Sequence, residues 1–340
     1  MSQVRLRDIA EIAGVSVSTV SRTLSGDCLR ISKETQERII KAANELGYAE
    51  SRNRRIRNSF RTIRLATIFI SDHESFLSPF FTEIMDGIDQ EIHSSEIEIN
   101  IEHTILTVKD EAFSSSIEDN GIDCAIILGR AGEDVIRNIC QHIPVTLYAG
   151  LNSIGSMDEV LCDARKGIAD AVHYLASLGR KRIAYIGPTD KQAIANEHRY
   201  RGYLEGLSAV SLPFDCDLVE DIYLSVLDGY NGAMRLLERT MPDAIVAAND
   251  NAALGIIRCL NERGVRIPED VAVTGFDNIE SAAFFRPALT TFDVPKKDIG
   301  RFAAKIAIDR CLNPRRENIT MSIPYRLIER ESTLPAKEDG

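Results

Sequence analysis

From residue 63 onward, short apolar runs alternate with longer stretches in which apolar residues recur every three or four positions. The runs at 63–70, 97–102, 124–128, 145–148, 159–162, 182–186, 244–247 and 271–275 have the length of strands. The stretches at 80–94, 165–178, 201–210, 225–238 and 252–263 have the period of amphipathic helices. Strand and helix alternating over about 270 residues predict an α/β body of doubly wound parallel sheets covered on both faces, and that length predicts two sheets. Ligands of such sheets bind beyond the carboxyl ends of the strands, so the loops after Ile70, Leu128, Ile186, Ala247 and Gly275 are where chemistry is sought.

Before residue 63 the pattern is that of three short helices. Leu6, Ile9, Ala10 and Ala13 repeat at helical spacing, and Gly14-Val15 breaks the run where a tight turn needs a flexible residue. Ser16 can cap a second helix with Val20 and Leu24 on its apolar face. Ser32 can cap a third, in which Ile39, Ala43 and Leu46 share a face and Gly47 offers a stop. Five arginines, Arg52, Arg54, Arg55, Arg57 and Arg61, then lead to the first strand.

Composition narrows the class. A chain of 340 residues exceeds one compact core, while 44% hydrophobic and 27% charged residues are ordinary globular values. No apolar run approaches the roughly 20 residues that span a bilayer, and the start Met1-Ser2-Gln3-Val4-Arg5 has no signal-peptide core, so the expectation is a cytoplasmic protein without a membrane partner. The seven cysteines are scattered and never spaced C-x-x-C, which predicts reduced thiols and no metal site. The net charge of −11 argues against nucleic acid until its distribution is read. Residues 1–61 hold twelve Arg or Lys against seven acids, whereas the remainder holds 28 bases against 44 acids. A basic head on an acidic body predicts that the head alone meets DNA.

The run from Leu6 through Ile9-Ala10-Glu11-Ile12-Ala13-Gly14-Val15-Ser16-Val17-Ser18-Thr19-Val20-Ser21-Arg22 resembles the helix-turn-helix of the lactose-repressor/galactose-repressor family of bacterial transcription regulators. The resemblance continues through Ile31-Ser32-Lys33-Glu34-Thr35, Leu46-Gly47-Tyr48, Ser78-Pro79-Phe80-Phe81, Asn249-Asp250, Ile267-Pro268-Glu269-Asp270, Gly275-Phe276-Asp277 and Pro287-Ala288-Leu289-Thr290-Thr291, nearly the whole chain. A helix beginning at Val17 presents its N-terminal half to the major groove in this motif. Arg22 can fork onto guanine, Val17 can touch a thymine methyl and Ser18 can donate or accept, and the resemblance assigns base reading to these three. A phosphate contact is the plainer role for Arg22, and Ser16, Thr19 and Ser21 suit phosphates or caps better than bases. The implied organisation is a head at 1–50, a linker at 51–61 and a body at 62–335. Its first lobe takes about 62–162 and 293–321, its second about 163–292 and 322–335.

The linker departs from the family. Relatives carry a hinge helix whose leucine wedges into the minor groove, whereas Glu50-Ser51-Arg52-Asn53-Arg54-Arg55-Ile56-Arg57 stands here. Ile56 is its one strongly apolar candidate for a wedge, and Arg54 and Arg55 suit phosphates or a narrow minor groove. A solvated charged linker is the plain alternative.

The resemblance implies that the body is the family's sugar-binding fold, shared with periplasmic binding proteins, with ligand between two lobes. Arg199, Asn249 and Asp277 match positions the family uses to hold ligand hydroxyls, and a donor, an amide and an acceptor together suit a neutral polyol. Plainer roles are an ion pair for Arg199, a helix cap for Asn249 and turn chemistry for Asp277. Phe80, Phe81 and Phe285 are aromatic candidates for ligand stacking or for core. Tyr148-Ala149-Gly150 stands where several sugar-binding relatives have an acid, which leaves the sugar unread; a galactoside, a nucleobase, a phosphosugar or a protein corepressor stay open. An enzyme is disfavoured by the absence of G-x-x-x-x-G-K-[ST], G-x-G-x-x-G and G-x-S-x-G and by six isolated histidines, and no cofactor is expected. The expected partners are pseudo-palindromic double-stranded operator DNA, a small effector and a second copy of the chain. Relatives that tetramerise carry an added C-terminal heptad helix, and residues 331–340 show no apolar repeat.

Overall fold

The computed structural model describes residues 6–24, 32–45, 62–70, 78–95, 99–108, 117, 121–129, 133–189 and 197–334. Chain contacts divide it into two units, residues 1–62 with 96–100, and the remainder. In the first unit, helices α1 (Leu6–Ala13), α2 (Val17–Leu24) and α3 (Lys33–Glu45) enclose a small core of Ile9, Ala10, Ala13, Val20, Ile39, Ala42 and Ala43. Gly14 ends α1 at φ +64°, with its N–H on the Glu11 carbonyl and that of Val15 on Ala10. This left-handed cap is one that only glycine adopts without strain, and it seats Val15 against the core. Ser16 caps α2, its Oγ accepting the Thr19 N–H at 3.2 Å, and Ser32 caps α3 in the same way through Thr35.

The second unit is built on two sheets. The first orders its strands β11-β5-β4-β3-β1-β2, from β1 (Thr62–Ile70), β2 (Asn100–Thr107), β3 (Cys124–Gly129), β4 (Val145–Gly150), β5 (Asp158–Leu161) and β11 (Thr320–Ser322). The second is β7-β6-β8-β9, from β6 (Ile183–Gly187), β7 (Val219–Asp221), β8 (Ala244–Ala247) and β9 (Ala272–Thr274), all parallel. Helices α4 (Pro79–Ser95), α5 (Glu133–His142) and α10 (Lys296–Leu312) belong to the first lobe. Helices α6 (Ala164–Ser177), α7 (His198–Ala209), α8 (Val226–Arg239) and α9 (Asp250–Glu262) belong to the second. Strands β3 and β8 are buried along their whole length, as sheets covered on both faces require.

The chain passes between lobes after β5, after the short strand β10 (Thr291–Asp293) and after β11; β10 then pairs antiparallel with β12 (Arg326–Ile328). In the first lobe α4 and α10 pack backbone to backbone: a Cβ at Gly300 would collide with the Ile84 carbonyl and one at Gly87 with that of Lys297. Among the described residues no helix is long and apolar enough to cross a membrane.

Two expected elements are displaced. The strand expected at 97–102 runs over Asn100–Thr107, an edge strand whose half-exposed side chains blur the apolar run. The helix expected from 201 begins at His198, because the Glu197 carboxylate accepts the Arg199 N–H at 3.3 Å and extends it through polar residues that carry no periodicity. Among the described residues, Cys124, Cys162, Cys259 and Cys311 are buried and Cys140 and Cys216 exposed, all as thiols outside any disulfide.

Candidate effector cleft and recognition helix

On α2, Val20 turns into the head core, which leaves Val17, Ser18, Ser21 and Arg22 exposed on the opposite side. Val17, a β-branched apolar residue, is 43% exposed although it could have been buried, an arrangement suited to contact with a partner. Ser16 Oγ lies 2.8 Å from both Ser18 Oγ and Thr19 Oγ1, so the turn is tied to the first residues of the helix. Arg54, Arg55 and Ile56 lie outside the described residues.

In the body, the carboxyl ends of the strands carry most of the candidate residues. Arg199 stands in the first turn of α7, 5% exposed, and its Nε and Nη1 are buried without a hydrogen-bond partner. Asp277 follows β9 through Gly275-Phe276; it is 6% exposed, and its Oδ1 is likewise unpartnered. Its φ of +117° and that of Asn278, +52°, place two successive non-glycine residues in a strained region, held by the Asp277 N–H on the Phe292 carbonyl. The Arg199 guanidinium acts on Asp277 electrostatically, yet neither its Nε and Nη1 nor the Asp277 Oδ1 takes part in a hydrogen bond. Buried donors and an acceptor left open in this way carry a desolvation cost of about 1–3 kcal/mol each, which an occupant offering hydroxyls removes.

Asn249 is differently placed. Its Oδ1 caps α9 by accepting the Ala252 N–H at 2.9 Å and its Nδ2 donates to the Leu224 carbonyl at 3.2 Å, so both ends of the amide are engaged within the protein. Phe80 is half-buried in the first turn of α4, edge to face with Phe81, which meets Phe69 of β1 in the same manner. Phe285 packs on the second-lobe core with Ile279, Ala282 and Leu289. Tyr148 donates to the Gly129 carbonyl at 3.1 Å, closing the end of β3 against β4.

Three residues that sequence reasoning missed complete the surroundings. Asp250, fully buried, accepts from Ile279 N–H at 2.9 Å and Thr291 Oγ1 at 2.6 Å. Lys296, 3% exposed, donates to the Asp277 carbonyl at 2.6 Å. Asn152, just after β4, has a buried, unpartnered Oδ1. The rule that ligands meet strand carboxyl ends could have flagged Asn152; Lys296, in Pro295-Lys296-Lys297-Asp298, reads as a solvated helix start.

Burial holds both Asp250 and Asp277 above the usual carboxylate range; the Asp277 charge adds to this at Asp250, while Arg199 and Lys296 oppose it at Asp277. The folded chain therefore binds these protons more tightly than the unfolded one. The resulting stability is fully present below about pH 4 and is lost as pH rises through the raised folded values. Asp277→Asn is expected to raise the urea midpoint over the parent at pH 8 and to lose that advantage as the pH is lowered to 4. An equal difference at both pH values would remove the raised carboxyl.

An acidic two-lobed body with orphaned polar atoms at its strand ends, joined to a capped helix-turn-helix, defines a ligand-responsive DNA-binding regulator. Residues 5–51 match the description "Bacterial regulatory proteins, lacI family", and residues 172–333 match "Periplasmic binding protein-like domain". The chain belongs to the lacI family: it is a transcriptional regulator with an effector-binding domain for a sugar or a nucleobase, and not an enzyme. It is 29% identical to the transcriptional repressor MelR of Bacillus subtilis over 97% of each chain. Among solved structures it resembles a transcriptional regulator CelR-cellobiose complex (26% identity, 97% of this chain and 100% of that one, TM-score 0.71). It also resembles a LacI family regulator from Enterococcus faecium with bound ribose (28% identity, 80% and 100%, TM-score 0.68).

Proposed function

We propose that the protein represses a carbohydrate-utilisation operon and leaves its operator when a neutral sugar enters the cleft between the lobes. The observation that carries this reading is the pair of buried, unpartnered groups, Arg199 Nε and Nη1 and Asp277 Oδ1, a donor set and an acceptor that act on one another without bonding. A polyol satisfies both at once. A phosphosugar would match the Arg199 fork but set its charge against Asp277. The cellobiose and ribose held by the two similar structures support the same class. In the head, Val17, Ser18 and Arg22 read base edges, with Ser16, Thr19 and Ser21 on phosphates. Residues 51–61, with Arg54 and Arg55 on the backbone and Ile56 as wedge, form the linker between the head and a body beginning at 62.

The test is calorimetry of the full chain against cellobiose, ribose, a galactoside, a phosphosugar and a nucleobase, followed by operator binding with each ligand that registers. Binding of a neutral sugar that weakens operator binding supports the reading. Binding of the nucleobase or phosphosugar alone overturns the sugar assignment, and tighter operator binding with sugar reverses its sign.

A homodimer on a pseudo-palindrome follows from one recognition helix covering only a few base pairs. Tyr223, Val226 and Leu227 at the start of α8 and Phe284 after the turn Glu280–Ala283 are large apolar side chains 45–75% exposed, which suits them to a subunit contact on the body. Sedimentation without DNA should give a dimer, and Leu227→Asp should shift it toward monomer. A stable tetramer, or a parent that sediments as monomer at micromolar concentration, contradicts this.

A further inference from the structure

Lys296 is a buried ammonium in the first turn of α10, and nothing in the assigned site requires it to touch a ligand. Its Nζ donates to the carbonyl of Asp277 at 2.6 Å and reaches those of Asn278 and Val294 at 3.4 Å each. The carboxylate it meets, Glu83 of α4, stands 3.5 Å away with a side chain 37% exposed. An ammonium has three protons to give, so this set accounts for all of them. Burying such a charge against mostly neutral carbonyls is costly, and a methionine of similar length would fill the volume without that cost.

The partners lie on opposite lobes. Asp277 and Asn278 follow β9 of the second lobe, and theirs are the two carbonyls set by the strained, positive-φ backbone. Glu83 lies on α4 of the first lobe. Gly87 and Gly300 bring the α4 and α10 backbones into contact, and Lys296 lies in the first turn of α10, one residue before the Lys297 carbonyl that meets Gly87.

We propose that Lys296 is a positioning residue that fixes the Asp277 loop to the α4–α10 pair, so that a shift of this loop is delivered to the first lobe. The proposal rests on the reading of Asp277 as an effector contact for its biological meaning. The tie itself is independent of which molecule binds. Asp277 engages the occupant with its carboxyl and Lys296 with its carbonyl, so movement of the residue toward an occupant pulls on Lys296 and, through it, on Glu83 and the first turn of α4.

The tie is testable in the full chain with no effector present, by backbone hydrogen exchange read on peptides covering 277–283, 79–88 and, as a control, 244–262. The loop amides are protected in the parent, Asn278 N–H by Thr291 Oγ1 at 3.3 Å and Ile279 N–H by Asp250 Oδ2 at 2.9 Å. Lys296→Met should accelerate exchange by tenfold or more in both the 277–283 and 79–88 peptides while the control is unchanged. Glu83→Gln, an isosteric change at a partly solvated side chain, should produce a smaller acceleration in the same two peptides. The double variant should be no faster than Lys296→Met alone, since both changes break one chain of contacts. Acceleration confined to one peptide, additive effects of the two substitutions, or equal acceleration in the control would overturn the proposal. A sugar assignment that fails in calorimetry leaves this exchange result standing, so the two readings fail separately.

Discussion

Asp277→Ala is expected to bind operator as tightly as the parent and to lose release by sugar. The Asp277 carboxyl is buried just beyond the end of β9 and belongs to a different unit from the recognition helix, so its loss leaves the DNA surface untouched. Its effect on the effector is large because hydrogen bonds to a charged acceptor contribute about 1.5–3 kcal/mol each, and a carboxylate accepting two hydroxyls therefore supports about a hundredfold in affinity or more. A ligand shifts an equilibrium only by its differential affinity for the two arrangements, so weakened binding and lost release should go together. Arg199→Leu should act in the same direction by removing the facing donors. The linkage is reciprocal, and operator DNA should weaken sugar binding by the factor by which sugar weakens DNA binding. The measurement is operator affinity of parent and variants with and without the sugar identified by calorimetry. Normal release by Asp277→Ala takes Asp277 out of the site.

Arg22→Ala is expected to lower affinity for the cognate operator by about 5- to 150-fold, the equivalent of the roughly 1–3 kcal/mol that a bidentate guanine contact contributes to discrimination, while binding to random DNA barely changes. Arg22 lies on the exposed side of an eight-residue helix capped by Ser16, where a guanidinium can reach a base edge. Arg54→Ala and Arg55→Ala should behave otherwise, weakening cognate and random DNA alike and flattening the salt dependence, as loss of phosphate neutralisation does. Binding isotherms of the three variants on both DNAs at several salt concentrations separate the cases, and equal losses for Arg22→Ala on both would make it a phosphate contact.

The periodicities carry different amounts of information. Head helices were legible because short helices need caps, and Gly14, Ser16 and Ser32 announce theirs locally. Buried parallel strands were legible because both faces demand apolar residues without interruption, as in β3 and β8. The ends of strand β2 escape the apolar pattern because its side chains are half in solvent. Strands of three residues such as β7, β10 and β12 are too short to hold a period, and only their neighbours make them strands.

The same division runs through the site. By itself the sequence determined the two-part organisation, the class of DNA-binding head, and the identity of Arg199 and Asp277 as polar residues beyond strand ends, because each of these depends on local order along the chain. The tertiary structure decided what those residues have to work with. It alone bonded the Asn249 amide nitrogen to the Leu224 carbonyl, left Arg199 and Asp277 buried with open valences, and brought Lys296 against the Asp277 carbonyl and Glu83. Burial, partner and charge are set by groups 19 to more than 200 positions away in the chain, distances over which no sequence period extends.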